Sequence, residues 1–402
     1  MMFRLDNASR AYDWGSASDI PRFLGQAPDG GRLAELWMGT HPLGQSMVVV
    51  GDEQPARLSD VAGDLPFMLK ILAADRPLSL QVHPNLAMAR AGFAAEEAAG
   101  VPLDAPERTY KDPSHKPEMA YALTTFDTLV GFRPTAEILR VLHGIDTSLA
   151  RTLAAELHRA PGFRGIVSLV ERLLTDGVED GEIAAVVEAC RELVEASVDV
   201  KRAYATAVEI AEFYPDDIGV IISLTLNRLT LQPGEAAFLG AGIIHAHLKG
   251  MCLEIMAASD NVLRAGLTSK PLDPQGLVQC LEEGMSRLAR VTPEPFGLST
   301  DVFHADVDEF ILAVSQCSRA EPQGTLLPPS AHRIVLCTGG EVELVSSTGQ
   351  RITLGRGDSV YAGPDDGDLR VLGTGEVAQA YTPDAGQRVG HLVDLVTPFT
   401  QR

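Results

Sequence analysis

Apolar and polar residues alternate in short runs from the N-terminus to about residue 133, broken by Gly, Pro and Asp. This pattern predicts β-strands, among them Gln45–Val50, Pro66–Ile71 and Leu78–His83. One helix is predicted over Leu86–Ala99, where Ala and Glu dominate and β-branched residues are absent. From Pro134 to about Phe213 the period lengthens. Ile166, Leu169, Val170, Leu173 and Leu174, then Ile183, Val186, Val187, Cys190, Leu193 and Val194, follow helical spacing, and Gly177 stands as a stop between them. A helical block between two β regions reads as an insertion or cap, with an independent bundle as the alternative. From Ile218 onward strands are expected to return.

Two of the later segments match at an offset of 123 residues, Arg228-Leu-Thr-Leu-Gln-Pro-Gly-Glu-Ala-Ala-Phe-Leu-Gly240 and Arg351-Ile-Thr-Leu-Gly-Arg-Gly-Asp-Ser-Val-Tyr-Ala-Gly363. A repeated strand, glycine turn and strand suggests two copies of one β-barrel unit of the jelly-roll or cupin kind. The first copy continues to His245-Ala-His247, whereas the same offset in the second lands on Asp368 and Arg370. The fold expected is therefore mainly β with a helical insertion, that is, two cupin-like jelly-roll β-barrels plus an α-helical domain. Residues 1–133 and 218–300 form the two parts of a catalytic barrel, 134–217 the helical domain, and 301–402 a metal-free cupin-like barrel.

Composition narrows the function. No apolar stretch approaches the roughly 18 to 20 residues of a membrane span, and the N-terminal MMFRLDNASRAYDWG lacks the apolar core of an export signal. The expected location is cytoplasmic, with no membrane partner. Five cysteines, odd in number, scattered and without a C-x-x-C pair, argue against a disulfide frame and a thiolate zinc site. A formal charge of -21 repels nucleic acid, so none is expected as a partner. It also repels a phosphorylated small molecule, so a site for one must carry its own cations.

Chemistry concentrates in three short motifs. In an extended strand Gln81 and His83 project from one face, as do His245 and His247, and Pro117 favours an extended backbone that lets Lys116 and Glu118 share a face. Gln81, His83, Glu118 and His245 together make two imidazoles, one carboxylate and one amide oxygen, a set suited to Zn²⁺ or another borderline divalent ion. One anionic ligand leaves the site a net positive charge and hence Lewis acidity. His41, His143, His158, His304, His332 and His391 have no such company and are left outside the site. Gly240-Ala-Gly242 reads as a tight turn, since His245 stands where a dinucleotide fingerprint needs its third glycine. Arg264 and Lys270, soon after the His-Ala-His strand, supply the local cations, the arginine through paired donors and the lysine as a point charge.

At many separated places the chain resembles the type I mannose-6-phosphate isomerases. The matching stretches are Tyr12-Asp-Trp-Gly15, Ala34-Glu-Leu-Trp-Met-Gly-Thr-His-Pro42, Leu65-Pro-Phe-Met-Leu-Lys-Ile71 and Leu78-Ser-Leu-Gln-Val-His-Pro84. Further along come Tyr110-Lys-Asp-Pro-Ser-His-Lys-Pro-Glu-Met119, Gly131-Phe-Arg133, Tyr214-Pro-Asp-Asp-Ile-Gly219, Pro233-Gly-Glu235 and Ser259-Asp-Asn-Val-Leu-Arg-Ala-Gly-Leu-Thr268. The resemblance implies one zinc per chain held by Gln81, His83, Glu118 and His245, Arg264 as the active-site arginine, and interconversion of mannose 6-phosphate and fructose 6-phosphate. Three departures stand out: His247 where the family has Tyr, Ser114 where it has Asn, and Asn85-Leu86 where a Lys is common.

The reaction so implied moves a proton between C2 and C1 through a cis-enediol, with Lys116, Glu254 and His247 open as the base. The predicted site thus has Arg264, Lys116 and Glu254 as catalytic residues, and Ser79, Lys270 and His247 as substrate-binding ones. A small sugar phosphate is the expected partner and a monomer the expected state. Two other readings remain at this point, a different cupin enzyme such as an iron dioxygenase and a non-catalytic sugar-binding cupin.

Overall fold

The computed structural model describes residues 1–49, 54–283 and 290–383; Val50 of the first predicted strand, His391 and the end of the predicted C-terminal barrel lie outside them. The first part of the chain carries β1 (Phe3–Asp6), β2 (Ala8–Arg10), α1 (Asp19–Phe23), β3 (Glu35–Met38), β4 (Met47–Val49), β5 (Ala56–Arg57), α2 (Leu58–Ala62), β6 (Phe67–Ala74), β7 (Leu80–Val82), α3 (Leu86–Ala98), β8 (Glu118–Ala122) and β9 (Phe126–Phe132). Helices follow as α4 (Thr135–Gly144), α5 (Ser148–Arg159), α6 (Phe163–Asp176), α7 (Glu182–Glu195), α8 (Ala203–Ala211) and α9 (Gly219–Ser223). Then come β10 (Leu226–Leu231), β11 (Ala236–Leu239), β12 (His245–Ala257), β13 (Leu263–Gly266), α10 (Pro274–Cys280), β14 (Arg290–Val291), β15 (Glu294–Phe296), β16 (Thr300–Phe303), β17 (Ile311–Cys317), β18 (Thr325–Leu326), β19 (Arg333–Ser346), β20 (Arg351–Gly355), β21 (Ser359–Ala362) and β22 (Leu369–Tyr381). The chain is therefore mostly sheet with a helical block.

The chain divides into two units, one of Ala8–Trp37 and Leu69–Val291, the other of Met1–Asn7, Met38–Met68 and Thr292–Arg402. The sequence reading put residues 1–133 in one barrel; here 1–7 and 38–68 group with the C-terminal region instead. The reason is strand pairing between residues far apart in the chain, for β1 lies between β21 and β4. Period alone carries no information about which sheet a strand joins.

A run of seven strands has the same order in each unit. The larger runs β2-β3-β6-β12-β8-β11-β14, with β7 on β12 and β9 between β10 and β12. The other runs β15-β16-β17-β22-β19-β21-β1 and continues through β4 to β5, with β18 on β22 and β20 on β19. The long strand β19, bulged between Cys337 and Gly339, does alone what β8 and β9 do together. The duplication seen as a motif repeat is thus a duplication of topology. Besides the added strands β4 and β5, the hairpin β9–β10 differs, for its connection holds α4–α9 where β19–β20 has a tight turn.

The helical block is amphipathic as its spacing predicts. In α6, Ile166, Leu169, Val170 and Leu173 are buried, and the helix ends at Gly177 with φ 70°, a conformation that favours glycine. These side chains share one apolar core with Leu80, Val82, Leu129, Leu226, Ile244 and Leu263 of the sheet strands, so the block is packed on the sheet and is not an independent bundle. Where strands were expected from Ile218, the buried run Gly219–Ser223 is a short helix first. An apolar run this short has no period that separates helix from strand.

Candidate metal and anion site

Three elements bring the metal candidates together. His83 follows β7, Glu118 opens β8 and His245 opens β12, and all three side chains are buried. His83 Nδ1 lies 2.7 Å from the Asn261 carbonyl oxygen, and His245 Nδ1 lies 2.9 Å from that of Ile243. A carbonyl oxygen only accepts, so each Nδ1 carries the hydrogen and each Nε2 presents its lone pair. Those two Nε2 atoms sit 3.5 and 3.2 Å from the same oxygen, Glu118 Oε2. Burial first and Lys116 next hold the His83 imidazole down to about 4, so at neutral pH it is an acceptor and not half of an ion pair.

Three acceptors therefore face one another in a dry interior, within 4.8 Å of each other, and His83 Nε2 has no hydrogen-bond partner. Such an arrangement is unfavourable unless a cation lies between them. Two neutral imidazoles and a carboxylate are the donor set of a divalent transition ion, so the residues fit zinc. Among the described residues no other cluster of three His, Cys, Asp or Glu side chains is close enough for the purpose. Gln81 is placed to join, because it pairs with His245 on one side and Arg264 on the other and so shares their face.

The ligands have a shaped support. Lys116 Nζ binds Glu118 Oε1 at 2.7 Å, as their predicted common face requires. Burial alone would raise the Glu118 carboxyl, but Lys116 and His83 hold it well below the usual range. Asn261, buried, accepts from the Lys111 N–H at 2.7 Å and donates to the Asp112 and Ser114 carbonyl oxygens at 2.7 and 2.8 Å. It thereby stitches the loop before β8 to the segment whose carbonyl orients His83. Ser114 takes part through its backbone, so the side chain that departs from the family pattern is not the one being used. Asn85, the other departure, caps α3 by accepting from the Met88 N–H at 2.9 Å.

His247 does not join the ligand cluster. Its Nε2 is 3.1 Å from Glu254 Oε1 and its Nδ1 3.1 Å from Thr128 Oγ1, with the ring edge-on to Phe126. Glu254 continues the chain to Lys70 Nζ at 3.5 Å, Lys70 to Glu35 at 3.4 Å, and Glu35 to Trp37 Nε1 at 2.8 Å. Burial and Glu118 push the Glu254 carboxyl up; Lys70 and the His247 hydrogen bond outweigh them, and it stays below its ordinary value. Lys70 and Glu35 were missed in the sequence. The signal was there: Lys70 is the one charge in the wholly buried strand Phe67–Ala74, and a buried charge needs a partner.

Arg264 faces Gln81 on β13, half-buried, and among the described residues it has neither an ion-pair nor a hydrogen-bond partner. Burial lowers its pKa, and burial, Arg264 and Lys111 together lower that of the exposed Lys270. Ser79, half-buried, directly precedes Leu80, which pairs with Gly266 of the same ladder. The expected local cations are thus present and not neutralised from within.

In the second unit the matching positions have changed. Ladder register puts Arg333 at the place of Glu118, both facing the last residue of the next strand, Ala362 and Leu239. It puts Leu369 and Val371, not Asp368 and Arg370, at the places of His245 and His247. The sequence offset is one residue out here, because pairing and not loop length sets register. Leu327, whose N–H bonds the Leu369 carbonyl, stands for Gln81, and both leucines are buried in one apolar cluster.

Comparison with known proteins agrees with this geometry. Residues 2–135 match the family model described as phosphomannose isomerase type I, catalytic domain. The mannose-6-phosphate isomerase of Salmonella typhimurium is 35% identical over 399 residues, covering 94% of this chain and 99% of the relative. The human enzyme of the same name is 30% identical over 412 residues, covering 91% and 94%. The crystal structure of the Salmonella typhimurium enzyme bound to its substrate, fructose 6-phosphate, and to zinc superposes with a TM-score of 0.86 at 34% identity, covering 95% of this chain and 100% of that one. With that extent of similarity on top of the shared motifs, the chain belongs to the type I mannose-6-phosphate isomerase family.

Proposed function

We propose that the protein is a zinc-dependent aldose-ketose isomerase that interconverts mannose 6-phosphate and fructose 6-phosphate through a cis-enediol. The observation that carries this reading is that three buried acceptors meet beside Gln81, whose ladder partner Arg264 has no ion-pair or hydrogen-bond partner among the described residues. His83, Glu118 and His245, with Gln81, hold the ion, which when bound supplies Lewis-acid polarisation of the sugar oxygens. Ser79, Arg264 and Lys270 receive the phosphate, and Arg264 is near enough to the ligand strand to counter charge on the enediolate as well.

Of the three candidate bases, Lys116 is already engaged with Glu118 Oε1 at 2.7 Å. Glu254 is a carboxylate held below its ordinary pKa, and His247 Nε2 orients it through a hydrogen bond at 3.1 Å. We assign C1–C2 proton transfer to Glu254, with His247 filling the place of the family tyrosine as its positioning partner. The order of seven strands shared by the two units supports reading each as a cupin jelly roll, with residues 134–217 as a helical insertion in the catalytic one and the C-terminal one metal-free. The partner is a sugar phosphate, the chain acts as a monomer, and its place is the cytoplasm; no described helix is long and apolar enough to cross a membrane.

The test is a coupled assay with mannose 6-phosphate before and after chelation, followed by zinc restoration. Activity should vanish and return. Glu254→Gln, which keeps the shape, should retain zinc and lose about 10²- to 10⁴-fold in kcat; near-normal kcat in that variant would remove Glu254 from the chemistry.

A further inference from the structure

The motif Tyr214-Pro-Asp-Asp-Ile-Gly219 joins α8 to α9 and has no part in the site as described so far. It reaches the segments that flank both strands of the β7–β13 ladder. The Tyr214 hydroxyl donates to the Pro77 carbonyl oxygen at 3.0 Å, two residues before Ser79. Asp217 Oδ1 accepts from the N–H groups of Gly219 and Leu267 at 2.7 and 2.8 Å, and its Oδ2 from that of Thr268 at 3.3 Å. The residues it grips lie between Arg264 and Lys270.

The gripped turn has a shape that a free loop would not keep. Leu267 is buried at φ 56°, a left-handed conformation that a leucine rarely adopts, and Gly266 has φ 129°. A Cβ on Gly266 would lie 2.7 Å from Asp217 Oδ1 and 2.8 Å from the Gly219 Cα, so backbone meets backbone at this point. The charges make the constraint necessary. Arg264 is near enough to Lys270 to disfavour its proton, and among the described residues no acidic side chain pairs with either. Arg264 is held by β13 but Lys270 lies beyond the turn, so an unanchored turn would let the two cations move apart and a phosphate would bear the cost of gathering them.

We propose that Asp217, with Tyr214, is a positioning clamp that fixes Ser79, Arg264 and Lys270 at the spacing that accepts a phosphate monoester dianion. The clamp rests on the reading of those three residues as the phosphate group's partners. Its own carboxylate is occupied by three backbone N–H groups and never meets the substrate. Affinity for the phosphate end is therefore set in part from the connection between two helices.

The experiment uses the zinc-loaded full chain and its Asp217→Asn and Tyr214→Phe variants. It measures KM and kcat for mannose 6-phosphate, the inhibition constant of inorganic phosphate, zinc content and thermal unfolding. Asp217→Asn should raise both KM and the phosphate constant about tenfold, and Tyr214→Phe about threefold, with a smaller change in kcat and zinc retained. If both variants stay within about twofold of the parent for phosphate while losing thermal stability, the segment is only a structural stitch and the proposal is overturned. Should Asp217→Asn fail to fold, Tyr214→Phe decides alone, and an unchanged phosphate constant there overturns it equally. A parent chain that turns over mannose 6-phosphate yet is not inhibited by inorganic phosphate sinks the phosphate-site reading itself, an outcome distinct from failure of the clamp.

Discussion

Single residues here differ most in whether their charge is already answered. Among the described residues Arg264 is half-buried without a partner, which suits a group that waits for an anion. Arg264→Lys keeps the charge and loses the planar pair of donors, so it should retain zinc and thermal stability while most of kcat/KM is lost, and Arg264→Ala should lose more. Steady-state kinetics with mannose 6-phosphate checks this; parent-like kcat/KM in both would make Arg264 a bystander. Lys70 is the opposite case, enclosed between Glu35 and Glu254 with every partner buried. Burial pulls its pKa down, but the two carboxylates raise it further, and the ammonium persists at neutral pH. Lys70→Met would leave two buried carboxylates unopposed and is expected to cost about 3–5 kcal/mol in denaturant unfolding, part of which Glu35→Gln should restore in the double variant.

At the scale of elements, the site depends on how the loop of residues 111–114 is held against the segment of residues 259–261. The Asn261 amide makes that connection, and its carbonyl fixes the hydrogen on His83 Nδ1. Asn261→Asp places a second carboxylate against Asp112 and removes the donor to the loop. Zinc affinity by chelator competition should fall about 10- to 100-fold, the usual effect of losing the support of a ligand. An unchanged affinity would mean that Ser259, which also donates to Asp112 at 2.9 Å, is enough. Elements also explain why the helical block was so plain in the sequence: α6 and α7 bury one face each, and that periodicity needs no tertiary information. The helix α9 was hidden because it is buried all round.

At the scale of the whole molecule, seven strands of each unit repeat one order, and among the described residues the His-Glu-His cluster lies in one unit only. Leu327, Arg333 and Leu369 in place of Gln81, Glu118 and His245 turn the second copy's site into core. Elemental analysis should therefore find about one tightly held zinc per chain, and His83→Ala or His245→Ala should abolish its retention together with activity. Two tightly held ions per chain, or full occupancy in either variant, would show the ligand set to be wrong.

What the sequence determined by itself is whatever local order encodes: the change of period at residue 134, the stop at Gly177, the repeat at 228 and 351, and the shared face of Lys116 with Glu118. Residue chemistry added the metal set, because few combinations of imidazole, carboxylate and amide serve any other purpose. Only the tertiary structure decided what depends on pairing between distant strands. It set the one-residue register that exchanges Asp368 for Leu369, the membership of residues 1–7 and 38–68 in the other unit, and the contact of His83 with Asn261 across 178 positions. It also decided that His247 turns to Glu254 and Thr128 rather than to the metal, and that Lys70 finds two acids. A side chain's direction follows from its own backbone, but its partner follows from which strand lies alongside, and that is a property of the assembled sheet.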